Sequence, residues 1–241
     1  MKNKKKRVRE ITDYIKFVFP MLVLYILFFI FPLFQTIGYS FTDYNGINPR
    51  KEFTGLTNYV DVFQDKWFYN SMLFTGKSVI LMILLANVLG FLLALALNTK
   101  IKSRNILRAI VFCPFVFNNV TVGFIWQFLL GRFMTDLYPL TGWKVFNIGW
   151  LSDSSLVLYS VVFVKLWQSI GYFMVIYLAG LQLLPQDPLE AAVLDGCTGI
   201  KMIRYITIPL MKPTAFVCIF LAITESLNMF PLIMSLTNGG P

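Results

Sequence analysis

The stretch Phe17-Val-Phe-Pro-Met-Leu-Val-Leu-Tyr-Ile-Leu-Phe-Phe-Ile-Phe-Pro-Leu-Phe-Gln-Thr-Ile-Gly-Tyr-Ser-Phe41 holds no charged side chain, and it directly follows Lys2, Lys4, Lys5, Lys6, Arg7, Arg9 and Lys16. About 20 mostly apolar residues are enough to cross a bilayer. The run is too long for the core of a secretory leader, and no small-residue cleavage site follows it. It reads as a first membrane span that starts at Pro20 and is interrupted late by Pro32. The basic segment 1–16 before it reads as a cytoplasmic flank.

Composition extends that reading to the whole chain. Hydrophobic residues make up 57% of 241, charged residues 14%, and mean hydropathy is +0.67. A soluble domain carries roughly 25% charged residues, so lipid is the solvent for much of this chain. The net charge of +9 is not a nucleic-acid signature, because seven of the 21 basic residues crowd into the first sixteen positions. Cys113, Cys197 and Cys218 have no paired spacing, and histidine is absent. Neither a disulfide framework, a metal site nor a catalytic cluster is supported.

Five stretches qualify as spans: 17–41, 72–97, 109–130, 156–181 and 214–236. The fold class is therefore all-α and polytopic, with residues 17–241 forming the transmembrane domain. With the N-terminus inside, the inner flank and loops hold 14 basic residues, among them Lys100, Lys102, Arg104, Arg108, Lys201, Arg204 and Lys212. The outer loops hold 5, namely Arg50, Lys51, Lys66, Arg132 and Lys144, so positive charge assigns the orientation. Trp67, Phe68, Tyr69, Tyr138, Trp143 and Trp150 on the outer side suit the interface. In the first outer loop, Thr57 or Asn58 is placed to cap a short helix reaching Phe63. The chain ends on Asn238-Gly-Gly-Pro241, a turn, which leads one to expect a sixth span in the full subunit.

The inner loop 185–209 encodes a short helix with both ends specified. Asp187 is a good N-cap, Pro188 suits the first turn, and Glu190 completes a capping box. Ala191 to Leu194 propagate the helix, and Gly196 can end it in a left-handed conformation. A second helix, 200–207, should stop before Pro209. The bland alternative is an amphipathic connector lying on the membrane. Polar groups at membrane depth are costly and face protein or a water-filled path. Lys165 and Glu225 both fall near mid-depth, where they either pair as a structural bridge or line a path with Gln168, Ser226 and Asn228. Asn87, Asn118, Asn119 and Gln127 suit inter-helix hydrogen bonds. Gly76-Lys77-Ser78 lacks the earlier glycine of a phosphate loop, and the triplet Asn119-Val120-Thr121 lies inside a span where no glycosyl transferase would reach it.

The run Glu190-Ala191-Ala192, Asp195-Gly196 and Ile206-x-Ile208-Pro209 resembles the EAA loop of inner-membrane permeases of binding-protein-dependent ABC importers. Phe53-Thr-Gly-Leu-Thr-Asn-Tyr59, Trp126, Trp150-Leu151, Trp167-Gln168, Ala179-Gly-Leu-Gln182 and Thr237-Asn-Gly-Gly-Pro241 resemble, in order, landmarks of the carbohydrate (maltose permease-like) branch. Cys197, Ile203 and Ile208 depart from the usual pattern by small or apolar exchanges only. The resemblance implies a translocation subunit that pairs with a second homologous permease and takes sugar from an extracytoplasmic binding protein. It would couple to an ATPase dimer through Glu190, Ala191, Ala192, Asp195, Gly196 and Pro209. It implies no cofactor of its own, ATP-Mg being held by the partner ATPase. The place implied is the cytoplasmic membrane of a bacterium or archaeon. The two spans holding Lys165 and Glu225 would face the sugar, with Tyr172 among the aromatic faces nearby.

The alternatives are a secondary transporter, a permease for another small solute, or a membrane enzyme. A secondary transporter wants inverted repeats and broken helices with a coupling-ion site, and the five dissimilar spans display none. An enzyme wants a His/Asp/Glu cluster that the chain lacks. Purified alone, the subunit should show neither ATP hydrolysis nor uptake in vesicles; either activity would overturn the reading.

Overall fold

The computed structural model describes residues 2–47, 51–99 and 101–240, with side chains from Tyr14 onward. Arg50, Lys100, Pro241 and the basic side chains of Lys2 to Arg9 lie outside the described residues. The chain forms two compact units, Met1–Ser71 and Met72–Pro241. It is helical throughout; among the described residues the one extended pairing is an isolated bridge between Thr42 and Phe53. Three helices, Tyr14–Tyr39, Lys66–Leu97 and Val157–Gln182, are long and apolar enough to cross a membrane, and two bent pairs raise the number to five if each is one span.

In the first unit, α1 (Lys2–Tyr25), a π-turn (Ile26–Ile30) and α2 (Phe31–Tyr39) run on as one rod. Pro32 does not interrupt it. The wide turn immediately ahead, closed by Phe31 N–H donating to the Ile26 carbonyl, loosens the ladder where proline supplies no donor. From Tyr14 to Tyr39 no residue of the rod is buried, as suits a face meant for lipid or another chain. Beyond it, α3 (Thr57–Gln64) forms as expected but is not capped by Thr57 or Asn58. Leu56 stands at the cap with no side-chain bond, Thr57 Oγ1 donates to the Thr54 carbonyl, and Asn58 Nδ2 donates to the Ser40 and Thr42 carbonyls. The loop carbonyls at the end of α2 had no other donor, and the amide meets that need.

In the second unit, α8 (Val157–Gln182) is the central post, buried over 67% of its apolar window. Small residues let its neighbours approach. On α4 (Lys66–Leu97), Ser78, Met82, Ala86, Gly90 and Ala94 are buried at four-residue steps, and a Cβ at Gly90 would lie 2.8 Å from Phe173 Cβ. A Cβ at Gly171 would lie 2.6 Å from Phe112 Cα at the end of α5 (Arg104–Phe112). One at Gly180 would lie 2.6 Å from Thr214 Oγ1 on α12 (Lys212–Leu227). Before α8, Asp153 accepts from the Ser155 hydroxyl and amide, which holds its carboxyl below the usual range and fixes the turn into the helix.

Two expected spans are not single helices. The stretch 109–130 breaks after Pro114: a 3₁₀ turn (Cys113–Val116) ends α5, Phe117 and Asn118 are extended, and α6 (Asn119–Gln127) starts afresh, the two arms bent by 94°. Beyond α6 the chain passes a π-turn (Phe128–Phe133) into α7 (Met134–Thr141) and a 3₁₀ turn (Lys144–Asn147). The stretch 214–236 breaks at Asn228 because Pro231 cannot supply the next donor, so α13 (Phe230–Thr237) restarts with proline in its first turn. α13 packs on α6, where Gly123 sits against Ser235 and the Leu232 carbonyl.

The inner loop also departs in detail. α9 (Gln186–Leu194) begins two residues early, with Pro185 at its cap, so Asp187 lies in the first turn and makes no capping bond. The second helix does not stop before Pro209: α10 (Ile200–Met202), a π-turn (Ile203–Thr207) and α11 (Ile208–Leu210) carry it through, the wide turn again preceding the proline. It then bends by 70° into α12.

Gly171→Ala should cost about 1–3 kcal/mol by forcing two backbones apart, read as a lower Tm in detergent. Gly76→Ala, in open space on the helix surface, should leave Tm unchanged or slightly raised.

Candidate functional site

The break after Pro114 is closed by a buried polar cluster that reaches Glu225, one turn before the break at Asn228. Lys165, on the middle of α8, is buried, and its Nζ lies 2.6 Å from Glu225 Oε2 on α12. The same ammonium donates to Asn119 Oδ1 at 3.3 Å and to Gln168 Oε1 at 3.4 Å. Gln168, one turn on, donates from Nε2 to the Phe117 carbonyl at 2.9 Å. That carbonyl is one of those released by the broken helix, and inside a membrane such a group needs a partner within the protein. The other face of the break is closed by Asn118, whose Oδ1 accepts from Val120 N–H as the N-cap of α6. Four elements therefore converge on one set of hydrogen bonds: α6, α8, α12 and the extended residues between α5 and α6.

Of the two sequence readings for Lys165 and Glu225, pairing is what the structure displays, and the pair is not sealed. The Glu225 side chain keeps 29% of its surface while that of Lys165 keeps 3%. The carboxylate is the outward end of the cluster. Tyr172 does not reach it; its ring stacks on Phe115 at 4.5 Å, one turn further along α8. Ser226 is buried with its hydroxyl returned to the Ala222 carbonyl, and Asn228 is exposed with its amide on the Thr224 carbonyl. Sequence reasoning had cast Asn118 as an inter-helix donor, whereas it caps its own helix. Asn87 and Asn119 do bridge helices, to Tyr177 and Lys165. The Gln127 side chain has no hydrogen bond among the described residues. The role of Gln168 as donor to Phe117 was missed. Its signal was Pro114 followed by Asn118-Asn119, a stop-and-cap pattern inside an apolar run. Trp126 stands edge-on to Phe163 and Trp167, with its indole nitrogen unpartnered beside the cluster's helix.

The inner loop forms a rigid hook. Gly196 has φ +75°, its N–H donates to the Val193 carbonyl, and Cys197 N–H donates to the Ala192 carbonyl at 2.8 Å. This pattern closes the end of α9 and requires a residue free to adopt positive φ. Glu190, Ala191, Asp195 and Gly196 are exposed, as is Pro209, while Ala192 is buried. Ala192 therefore belongs to the packing of the loop and not to its outer face. Leu194 and Ile200, more than four-fifths exposed, add apolar surface to the same hook. Gly76, Lys77 and Ser78 lie inside the continuous helix α4, with no phosphate loop around them.

Residues 86–241 match the family described as binding-protein-dependent transport system inner membrane component. The chain belongs to that family. It is 35% identical over 243 residues to the probable starch degradation products transport system permease AmyD of Thermoanaerobacterium thermosulfurigenes, covering 100% of this chain and 82% of that protein. It is 31% identical over 229 residues to the trehalose/maltose transport system permease MalF of Thermococcus litoralis, covering 93% and 76%. Among solved structures, a bacterial ABC transporter that imports the acidic polysaccharide alginate superposes with a TM-score of 0.78 at 21% identity, over 98% of this chain and 81% of that one. The matched family segment contains both the polar cluster and the hook. The breaks at Phe117 and Asn228 remove one ground on which a secondary transporter had been set aside, and membership of the permease family replaces it.

Removing one member of a buried pair strands the other charge at a cost of about 3–5 kcal/mol, whereas removing both together is close to neutral. Lys165→Met should therefore unfold the subunit far more readily than Lys165→Met/Glu225→Leu, read by thermal unfolding of the purified protein. Equal Tm values for the two would contradict the pairing.

Proposed function

We propose that the chain is a translocation subunit of an ABC importer for a sugar or oligosaccharide. It would sit in a bacterial or archaeal cytoplasmic membrane with its N-terminus inside. With a second homologous permease it encloses the path; an extracytoplasmic binding protein supplies the sugar. A separate pair of ATPase subunits, which alone hold ATP-Mg, drives the cycle through loop 185–209. The observation that carries the reading is that one matched family segment holds both a buried polar cluster at a broken helix and an exposed, firmly closed hook. The sugar assignment is supported by relatives named for starch degradation products and for trehalose and maltose. The orientation is supported by the distribution of basic residues.

The covalent order explains how the hook acts on the path. α8 runs into the loop at Leu183 and Leu184, and α12 leaves it after Met211. The loop is thus the hinge piece between the two helices joined by Lys165 and Glu225. Near the loop the helices are in close contact at Gly180 and Thr214, which acts as a pivot. A push on α9 changes the angle between α8 and α12 and is felt at the ion pair. A firm end to α9 matters because a frayed one would absorb the push. The half-exposed rim of the cluster offers Glu225 as an acceptor for sugar hydroxyls while Lys165 balances its charge.

In the reconstituted transporter, Gly196→Pro and Glu190→Lys should each abolish ATP-dependent uptake while the subunit remains in the membrane at normal level. Normal uptake in both variants would sink the coupling assignment.

A further inference from the structure

A cleft of about 430 Å³ lies at the outer end of α2, wholly within the unit Met1–Ser71. Its size falls in the range of small-molecule sites, about 300–1,000 Å³. Three tyrosines wall it: Tyr39 from the last turn of α2, Tyr44 from the following loop and Tyr59 from α3. The rings of Tyr39 and Tyr44 are 4.7 Å apart and tilted by 47°, an open aromatic corner. Ser40, Thr42 and Asn58 line the rest of the polar wall. Tyr59 OH and Ser40 Oγ share a hydrogen bond of 2.6 Å. Asn58 spends its Nδ2 on two carbonyls, and among the described residues its Oδ1 and the Tyr44 hydroxyl have no partner. The walls are held in place by backbone bonds, Thr54 and Gly55 N–H both donating to the Phe41 carbonyl.

Among the described residues no charged side chain lines the cleft. Among the described residues the cation beside it, Lys51, is already engaged: its Nζ lies 4.1 Å and 4.7 Å from the Tyr39 and Tyr44 ring centroids and donates to Tyr39 OH at 3.0 Å. We infer that this cleft is an outer subsite for one unit of an uncharged oligosaccharide, its apolar ring face on the Tyr39–Tyr44 corner and its hydroxyls toward Tyr59, Ser40 and Asn58. A sugar ring has the matching chemistry, an apolar C–H face edged by hydroxyls. A lipid chain would leave Asn58 Oδ1 and the Tyr44 hydroxyl without partners, and an anionic unit would meet no free cation among the described residues. The subsite rests on the proposed sugar reading and on its outward orientation. It would hold one end of the chain as the binding protein releases it.

The assembled transporter carrying Tyr44→Leu, which keeps apolar volume without the ring, is compared with Tyr44→Phe and the unaltered form, after equal assembly has been verified by size-exclusion chromatography. Uptake of maltose, maltotriose and raffinose is measured against the concentration of loaded binding protein. Loss of one aromatic stacking partner should raise KM about fivefold in Tyr44→Leu, with kcat unchanged and Tyr44→Phe near the unaltered value. Unchanged KM alongside normal uptake overturns the subsite alone. Equal weakening of the sugar-free binding protein's affinity shows a protein-docking patch instead, and also overturns it. Failure of the unaltered transporter to carry any of the three sugars overturns the sugar reading and the subsite with it.

Discussion

A membrane interior offers no water to a released carbonyl or a lone charge, and the hydrogen bonds around Lys165 and Gln168 answer both needs at once. Gln168 meets the Phe117 carbonyl that the broken helix releases, and Lys165 meets Glu225 and Asn119 across α12 and α6. Without the first bond the break after Pro114 would expose backbone to lipid. Without the second, two opposite charges would be stranded on neighbouring helices. The polar cluster is thus the condition under which the break between α5 and α6 can exist, and it leaves the carboxylate of Glu225 partly exposed.

The rest of the second unit serves that junction. α8 can reach α4, α5 and α12 because Gly90, Gly171 and Gly180 bring backbones within side-chain-free distance at the three crossings. Close crossings are how helices associate where hydrophobicity gives no preference between lipid and protein. They also make α8 a stiff member. Under the proposed coupling, a displacement of its loop end through α9 would carry the cluster with it.

Much of this was legible in the residues. Spans at 17–41, 72–97 and 156–181 rest on length and hydropathy, and the helices fall within a few residues of those limits. Lys165 and Glu225 were placed at equal depth by counting from opposite faces, and they meet. Gly196 was assigned its left-handed turn because no other residue there tolerates one, and its φ is +75°. The breaks at 117 and 228 were not read, because hydropathy averages over a window and is blind to backbone geometry. The clues were Pro114 before Asn118 and Asn228 before Pro231, local stop-and-cap signals hidden in apolar sequence. Helix caps at Asp187, Thr57 and Asn58 went astray for a different reason. Tertiary demand for donors, as at Ser40 and Thr42, outbid local propensity. Pro32 and Pro209 were read as stops because the π-turns that carry the chain past them leave no sequence mark.

The central claim is that the partly exposed carboxylate of Glu225 borders a path whose access the ATPases change through loop 185–209. Asn228→Cys, in a background with Cys113, Cys197 and Cys218 replaced by alanine, tests it in the reconstituted complex. Its labelling by a membrane-impermeant thiol reagent applied from outside should differ sharply between the nucleotide-free and ATP-vanadate states, and transported sugar should slow it. Labelling that is absent in both states, or that matches a lipid-facing control such as Leu84→Cys in both, would contradict the account.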